Sequence, residues 1–157
     1  MAPSPEPRAL FVYGTLMYPE VVHGLTGMPL AGDAAQLLDY SRYLVRPPGR
    51  QGRGPVIFPD PSGVVEGRLL REVPAAAMEL IDRFEAAGGG YRCCEVVVHP
   101  AVGQAPLSAW AYVGEDALLN HRAGPWSPDR FEAEDLQWYL KERLPALRAE
   151  WGLPPIG

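Results

Sequence analysis

Strand-length runs closed by turn residues limit what this chain can build. They fall at residues 9–13, 34–45, 56–58, 64–73, 91–98 and 107–113. Helix signals are fewer. Residues 19–25 open on Pro19-Glu20 and stop before Gly27, residues 74–84 open on Pro74, and a last region opens on the Ser127-Pro128 cap. Pro145 is expected to break or kink that last helix. The breaks come from 18 prolines and 17 glycines in 157 residues, which favour short elements and tight turns. Strands that follow one another with few helices between them do not fit a doubly wound parallel sheet. The expected fold is α+β: a small mixed, mostly antiparallel β-barrel of about five to six strands with flanking helices. Asp60-Pro61-Ser62-Gly63 reads as a turn, predicting a hairpin between 56–58 and 64–73. Residues 46–55, rich in Gly, Pro and Arg, read as an exposed loop. One domain spanning 1–157 is expected, with 1–8 flexible and neither a signal peptide nor a membrane span.

The chemical classes narrow next. Hydrophobic residues make up 47% and charged residues 21% of the chain, a globular balance. A net charge of −5 argues against binding nucleic acid through its phosphates. Cys93 and Cys94 are the only cysteines. Adjacent Cα atoms lie ~3.8 Å apart, below the ~4.4–6.8 Å of most disulfides. Two free thiols on opposite strand faces fit a reducing cytoplasm. His23, His99 and His121 show no metal spacing, and no phosphate-binding Gly-x-x-x-x-Gly-Lys-Ser/Thr run exists.

Two features carry chemistry. Tyr13-Gly14-Thr15-Leu16 follows the first apolar run and precedes a helix start. A glycine there lets backbone N–H groups approach a carboxylate or an oxyanion. In the helix after Pro74, Met78, Ile81 and Glu85 fall at i, i+3 and i+7 and share one face. Glu79, Asp82 and Arg83 point to other faces, towards water. Glu85 is thus a carboxylate at the end of an apolar stripe, where burial and the negative end of the helix dipole raise its pKa. That suits a general acid–base catalyst near neutral pH. The bland reading is a solvated glutamate, or one paired with Arg83 or Arg92.

Tyr13-Gly14-Thr15-Leu16, Leu80-Ile81-Asp82-Arg83-Phe84-Glu85, Tyr91-Arg92 and Trp110-Ala111-Tyr112-Val113 together resemble the γ-glutamylcyclotransferase-like family, in its avirulence-induced-gene-like branch. The strand Val65-Glu66-Gly67-Arg68-Leu69-Leu70 matches as well, and the resemblance runs from about Leu10 past Trp126. It implies a small mixed barrel and release of 5-oxoproline from γ-glutamyl compounds, with no metal or organic cofactor. It implies Glu85 as the catalytic residue and the 13–16 loop as the substrate cradle. Tyr91 and Tyr112 are expected to line the pocket, or else to pack the barrel. Family members often carry glycine directly after the catalytic glutamate; here Ala86-Ala87 intervene before three glycines, so that loop is expected to sit differently. Thr15 stands where members acting on glutathione have serine, which favours the general branch.

By this reading the substrate's own α-amine attacks its γ-carbonyl, Glu85 moves the proton, and backbone N–H groups near Gly14 hold the oxyanion. Two alternatives share the fold: a non-catalytic small-molecule binder, and a tailoring enzyme that removes a γ-glutamyl cap. The expected partner is a small γ-glutamyl molecule, not a membrane or nucleic acid. Arg42, Arg46, Arg50 and Arg53 read as a solvated loop before they read as an anion site. Phe131, Trp138, Tyr139 and Leu144 read as packing. Cys93 and Cys94 lack a histidine partner in sequence reach, leaving thiol nucleophilic catalysis unsupported.

Overall fold

The computed structural model describes residues 8–46, 54–101 and 103–156. Five strands close into a barrel in the order β1-β3-β2-β4-β5. They are β1 (Arg8–Val12), β2 (Asp33–Val45), β3 (Gly54–Val73), β4 (Tyr91–Pro100) and β5 (Leu107–Gly114). Every neighbouring pair is antiparallel except β1 with β5, which run parallel through Leu10 and Trp110. The helices are α1 (Pro19–Thr26), α2 (Ala75–Gly88), α3 (Pro128–Glu134), α4 (Leu136–Trp138) and α5 (Leu144–Glu150). This is the α+β barrel the sequence predicts.

Period-two alternation assigns each strand residue to one of two cores. On β1, Phe11 faces the barrel interior, with Ile57, Leu69, Val98 and Ala111. Leu10 and Val12 face outward, where α1 and α2 bring Val21, Leu25, Met78 and Ile81. On β5, Ala111 and Val113 point inward while Tyr112 joins the helix side with Trp110 beside it. The helices therefore cover one flank of the barrel, and the site lies at the edge of that flank.

Two expectations change. Residues 56–58 and 64–73 are not the arms of a hairpin. Both are parts of β3 and both pair with β2. Leu38 opposes Val64 while Tyr40 opposes Pro59, so residues 60–63 bulge opposite Asp39 alone. The turn chemistry is real but local: the Asp60 carboxylate accepts hydrogen bonds from Ser41 Oγ at 2.6 Å and Ser62 N at 3.2 Å. Asp39 takes a left-handed φ of 68° there, which aspartate tolerates better than most residues. A Cβ on Gly63 would stand 2.2 Å from the Tyr40 carbonyl oxygen, so the bulge requires glycine. Second, the last two residues of the exposed loop expected at 46–55 belong to a strand instead. Gly54 and Pro55 open β3, and Pro55 is buried. Arg50 and Arg53, like residues 1–7 of the segment expected to be flexible, lie outside the described residues, and Arg8 already belongs to β1.

The C-terminal helical region does not stop at Pro145. A π turn, Tyr139–Arg143, precedes α5, and Leu144 N–H reaches back to the Tyr139 carbonyl. Pro145 lacks an N–H and crowds the carbonyl of Lys141, which disfavours regular α-helical bonding at this point. Buried Arg148 donates to the carbonyls of Leu25 (2.7 Å) and Pro154 (2.9 Å). It ties α5 to the end of α1 and so fixes the wall that carries the π turn.

Candidate active site

A cavity of about 490 Å³ opens where the end of β1, the starts of β3 and β4, the last turn of α2 and the π turn converge. All seven residues proposed from the sequence line it: Tyr13, Gly14, Thr15, Leu16, Glu85, Tyr91 and Tyr112.

The loop comes first. After β1 the chain makes a short 3-10 turn, Thr15–Met17, whose first bond runs from Met17 N to Gly14 O at 3.0 Å. The N–H groups of Thr15 and Leu16 precede that bond and have no acceptor within the turn. Arg42 holds the loop from β2. Its guanidinium donates to Tyr13 O at 2.6 Å and Glu66 O at 3.1 Å, and lies 4.8 Å from the Trp126 ring centre. Burial lowers the Arg42 pKa, a cost offset by charge-assisted hydrogen bonds worth about 1.5–3 kcal/mol each. Arg42 is therefore a loop tether, not part of a solvated charge run.

Gly14 is required by close approach. A Cβ there would lie 2.2 Å from Pro55 Cγ. Gly14→Ala is expected to push the loop off Pro55. A displacement of about 1 Å can cost on the order of 100-fold in turnover. Turnover and thermal melting measured on the same sample separate a displaced loop from an unfolded chain.

Glu85 sits in the last turn of α2, where its carbonyl accepts from Gly89 N at 3.0 Å. The helix runs past Phe84, beyond the sequence boundary, because Ala86, Ala87 and Gly88 continue it. Met78 and Ile81 are buried on the face that Glu85 shares. Among the described residues Glu85 has no ion-pair partner; Arg83 leans 3.9 Å towards Glu79 instead. The residue is half-buried overall, with its carboxyl enclosed by the site. Burial first, and the Asp82 charge second, raise its pKa to about 8.

Asp82 is exposed, as the helix pattern predicts, and has one contact that the pattern does not show. The Tyr112 hydroxyl donates to its carboxylate, and burial together with that bond holds the Tyr112 pKa well above the usual phenol range. Tyr13 donates in turn to the Tyr112 carbonyl at 2.7 Å, and Tyr91 to the Pro55 carbonyl at 3.1 Å. Tyr13, Tyr91 and Tyr112 thus spend hydroxyl protons on the protein and act as fixed walls.

The sequence pattern missed the C-terminal wall. Phe131 and Leu144 are core, as expected of that stripe, but Trp138 and Tyr139 line the cavity together with Arg143. Packing and cavity positions share one helical period, so periodicity alone does not separate them. The π turn is the local signal that does, since such turns recur at functional sites. Among the described residues no cluster of His, Cys, Asp and Glu could hold a metal ion, and no helix is long and apolar enough to cross a membrane. Cys93 and Cys94 are free thiols, and burial raises the Cys93 pKa to about 11, far from a reactive thiolate.

The closed barrel thus carries, in one cavity, a glycine-containing loop and a glutamate whose carboxyl is enclosed. The chain belongs to the γ-glutamyl cyclotransferase, AIG2-like family, whose model matches residues 10–144. It is 28% identical to AIG2-like protein C of Arabidopsis thaliana over 107 residues, 68% of this chain, and the match spans 60% of that relative's length. A solved structure described as a γ-glutamyl cyclotransferase superposes with a TM-score of 0.64 at 19% identity, covering 96% of this chain and 89% of that one. The solution structure of an Arabidopsis thaliana protein gives a TM-score of 0.63 at 21% identity, covering 96% and 88%. These two likenesses share the fold.

Proposed function

We propose that this protein is a γ-glutamyl cyclotransferase, releasing 5-oxoproline from a small γ-glutamyl compound without a metal or organic cofactor. The observation that carries the reading is Glu85: a carboxylate with a raised pKa and no described ion-pair partner, in one cavity with the 13–16 loop. An idle carboxylate in that position would cost stability for nothing.

The chemistry follows from these groups. The substrate's α-ammonium lies against Glu85, whose carboxylate takes one proton. The freed amine attacks the γ-carbonyl carbon and closes a five-membered ring, with the N–H groups of Thr15 and Leu16 receiving the oxyanion. Glu85 returns its proton to the leaving nitrogen as the intermediate collapses and that bond breaks; it then takes the second proton from the ring nitrogen and passes it to the freed amine. Two of the ammonium's three protons end on the departing amine, which leaves as an ammonium ion. The free thiols suit a reducing compartment, and we place the enzyme in the cytoplasm.

The test is 5-oxoproline release from γ-glutamyl amino acids, γ-glutamyl-ε-lysine, glutathione and γ-glutamyl amines, with Glu85→Gln as control. Release by the parent protein alone supports the reading. No release, with ligand-induced melting shifts intact, points instead to a binding module on this fold.

A further inference from the structure

Two side chains on the cavity wall have capacity that the fold does not use. Tyr139 and Arg143 sit four residues apart on the π turn and both line the cavity. Among the described residues Arg143 has no ion-pair partner, whereas Arg83 and Arg130 each lie beside a glutamate on their own helix. The Tyr139 ring packs against Phe84, Phe131 and Trp138, with centroids 6.4, 5.6 and 5.0 Å away. Phenylalanine would pack as well, yet the residue carries a hydroxyl that has no hydrogen bond among the described residues and is not a sealed, unsatisfied atom, so it opens to the cavity. Among the described residues of the lining, Glu85 and Arg143 are the charged ones. Burial dominates at the Tyr139 hydroxyl and lifts its pKa to about 12; Arg143 favours its ionisation, while Asp135 and then Glu85 oppose it. It therefore remains a neutral donor at physiological pH.

A guanidinium beside a neutral O–H donor is a receptor for a carboxylate. The pair lines the same cavity as the 13–16 loop; the loop and Glu85 are assigned to the γ-glutamyl end, which leaves the pair for the rest of the substrate. Trp138, on the same wall as the pair, is 39% exposed, and a variable leaving group needs such an open side. Resting on the cyclotransferase reading, we propose that Arg143 and Tyr139 bind the free carboxylate of the leaving amine. The preferred substrates are then γ-glutamyl amino acids rather than γ-glutamyl alkylamines.

γ-Glutamylalanine and γ-glutamylethylamide differ only by that carboxylate. Their kcat/KM values should be compared in the parent protein, Arg143→Met, Arg143→Lys and Tyr139→Phe, with melting temperatures alongside. The parent is expected to favour γ-glutamylalanine by roughly 10- to 100-fold, the range for a charge-assisted contact. Arg143→Met should bring that ratio close to one, Arg143→Lys should restore part of it, and Tyr139→Phe should lower it severalfold. An unchanged ratio in Arg143→Met overturns the inference. So does an equal loss on both substrates, which would mean that Arg143 reads the α-carboxylate they share or merely holds the wall. If Arg143→Met does not fold, the ratios in Arg143→Lys and Tyr139→Phe decide. If the parent turns over neither compound nor any other of the panel above, the cyclotransferase reading fails on its own. Calorimetric binding of both compounds to the parent and to Tyr139→Phe then measures the carboxylate preference directly. Equal affinities for the two compounds in the parent would sink the proposal.

Discussion

Glu85→Gln is expected to fold like the parent and to lose about 10²- to 10⁴-fold in 5-oxoproline release, the usual contribution of a positioned general acid–base group. Glutamine keeps the volume and the hydrogen-bonding ends of the side chain but cannot take a proton from the substrate ammonium. Among the described residues of the lining no other carboxylate replaces it. Tyr13, Tyr91 and Tyr112 donate to carbonyl or carboxylate groups of the protein, and Arg143 is a permanent cation. The same substitution should also raise stability at alkaline pH. The folded-state pKa of Glu85 stands at about 8 against an ordinary value of 4.5, so the folded state resists its ionisation. The stability linked to the protonated form is complete below about pH 4.5 and is lost as pH rises through 8. Glutamine, which never ionises, escapes that loss. Melting curves at pH 6 and pH 9 should show the variant gaining on the parent by a few degrees at the higher pH. Parent-like turnover in Glu85→Gln would remove the assigned mechanism, and an unchanged melting difference across pH would remove the buried-carboxylate argument.

The barrel was legible because its strands alternate. Leu10 and Val12 against Phe11 and Tyr13, and Tyr112 against Ala111 and Val113, announce two cores on two faces of one sheet. What local pattern does not encode is pairing at a distance. Asp60-Pro61-Ser62-Gly63 has every mark of a hairpin turn. Whether such a turn reverses the chain or bulges within one strand depends on where the flanking residues find partners. Both flanks here find β2.

The site divides along the same line. Glu85 was legible because its partners on the apolar face, Met78 and Ile81, lie within two turns of the same helix. Asp82 was not, because the group that reaches it, Tyr112, is 30 residues away on β5. Arg42 read as one of a charge cluster, while its real partners are two backbone carbonyls and an indole. Tyr139 and Arg143 were hidden for a different reason. Their helix was recognised, but a stripe of large side chains looks the same whether it meets a packed core or a cavity rim.

The pH dependence of kcat/KM gives the second large effect. Turnover requires the carboxylate form of Glu85, and kcat/KM reports ionisations of the free enzyme. With the pKa at about 8, activity should climb about tenfold per unit below that value, so that roughly 1% of the plateau remains at pH 6. An ordinary surface glutamate would give a flat profile over the same range. The two causes of the shift can be told apart. Burial is the larger, and Asp82 adds a like charge. Asp82→Asn removes the charge while its side-chain oxygen can still accept the Tyr112 hydroxyl, so the inflection should move to lower pH with the wall in place. Asp82→Leu removes both, freeing Tyr112 as well as the charge, and should depress the plateau in addition to moving the inflection. An inflection that stays put in Asp82→Asn would show that Asp82 acts on the site only by holding Tyr112. A profile flat from pH 6 to 9 in the parent would mean that the group limiting turnover is not a buried carboxylate at all.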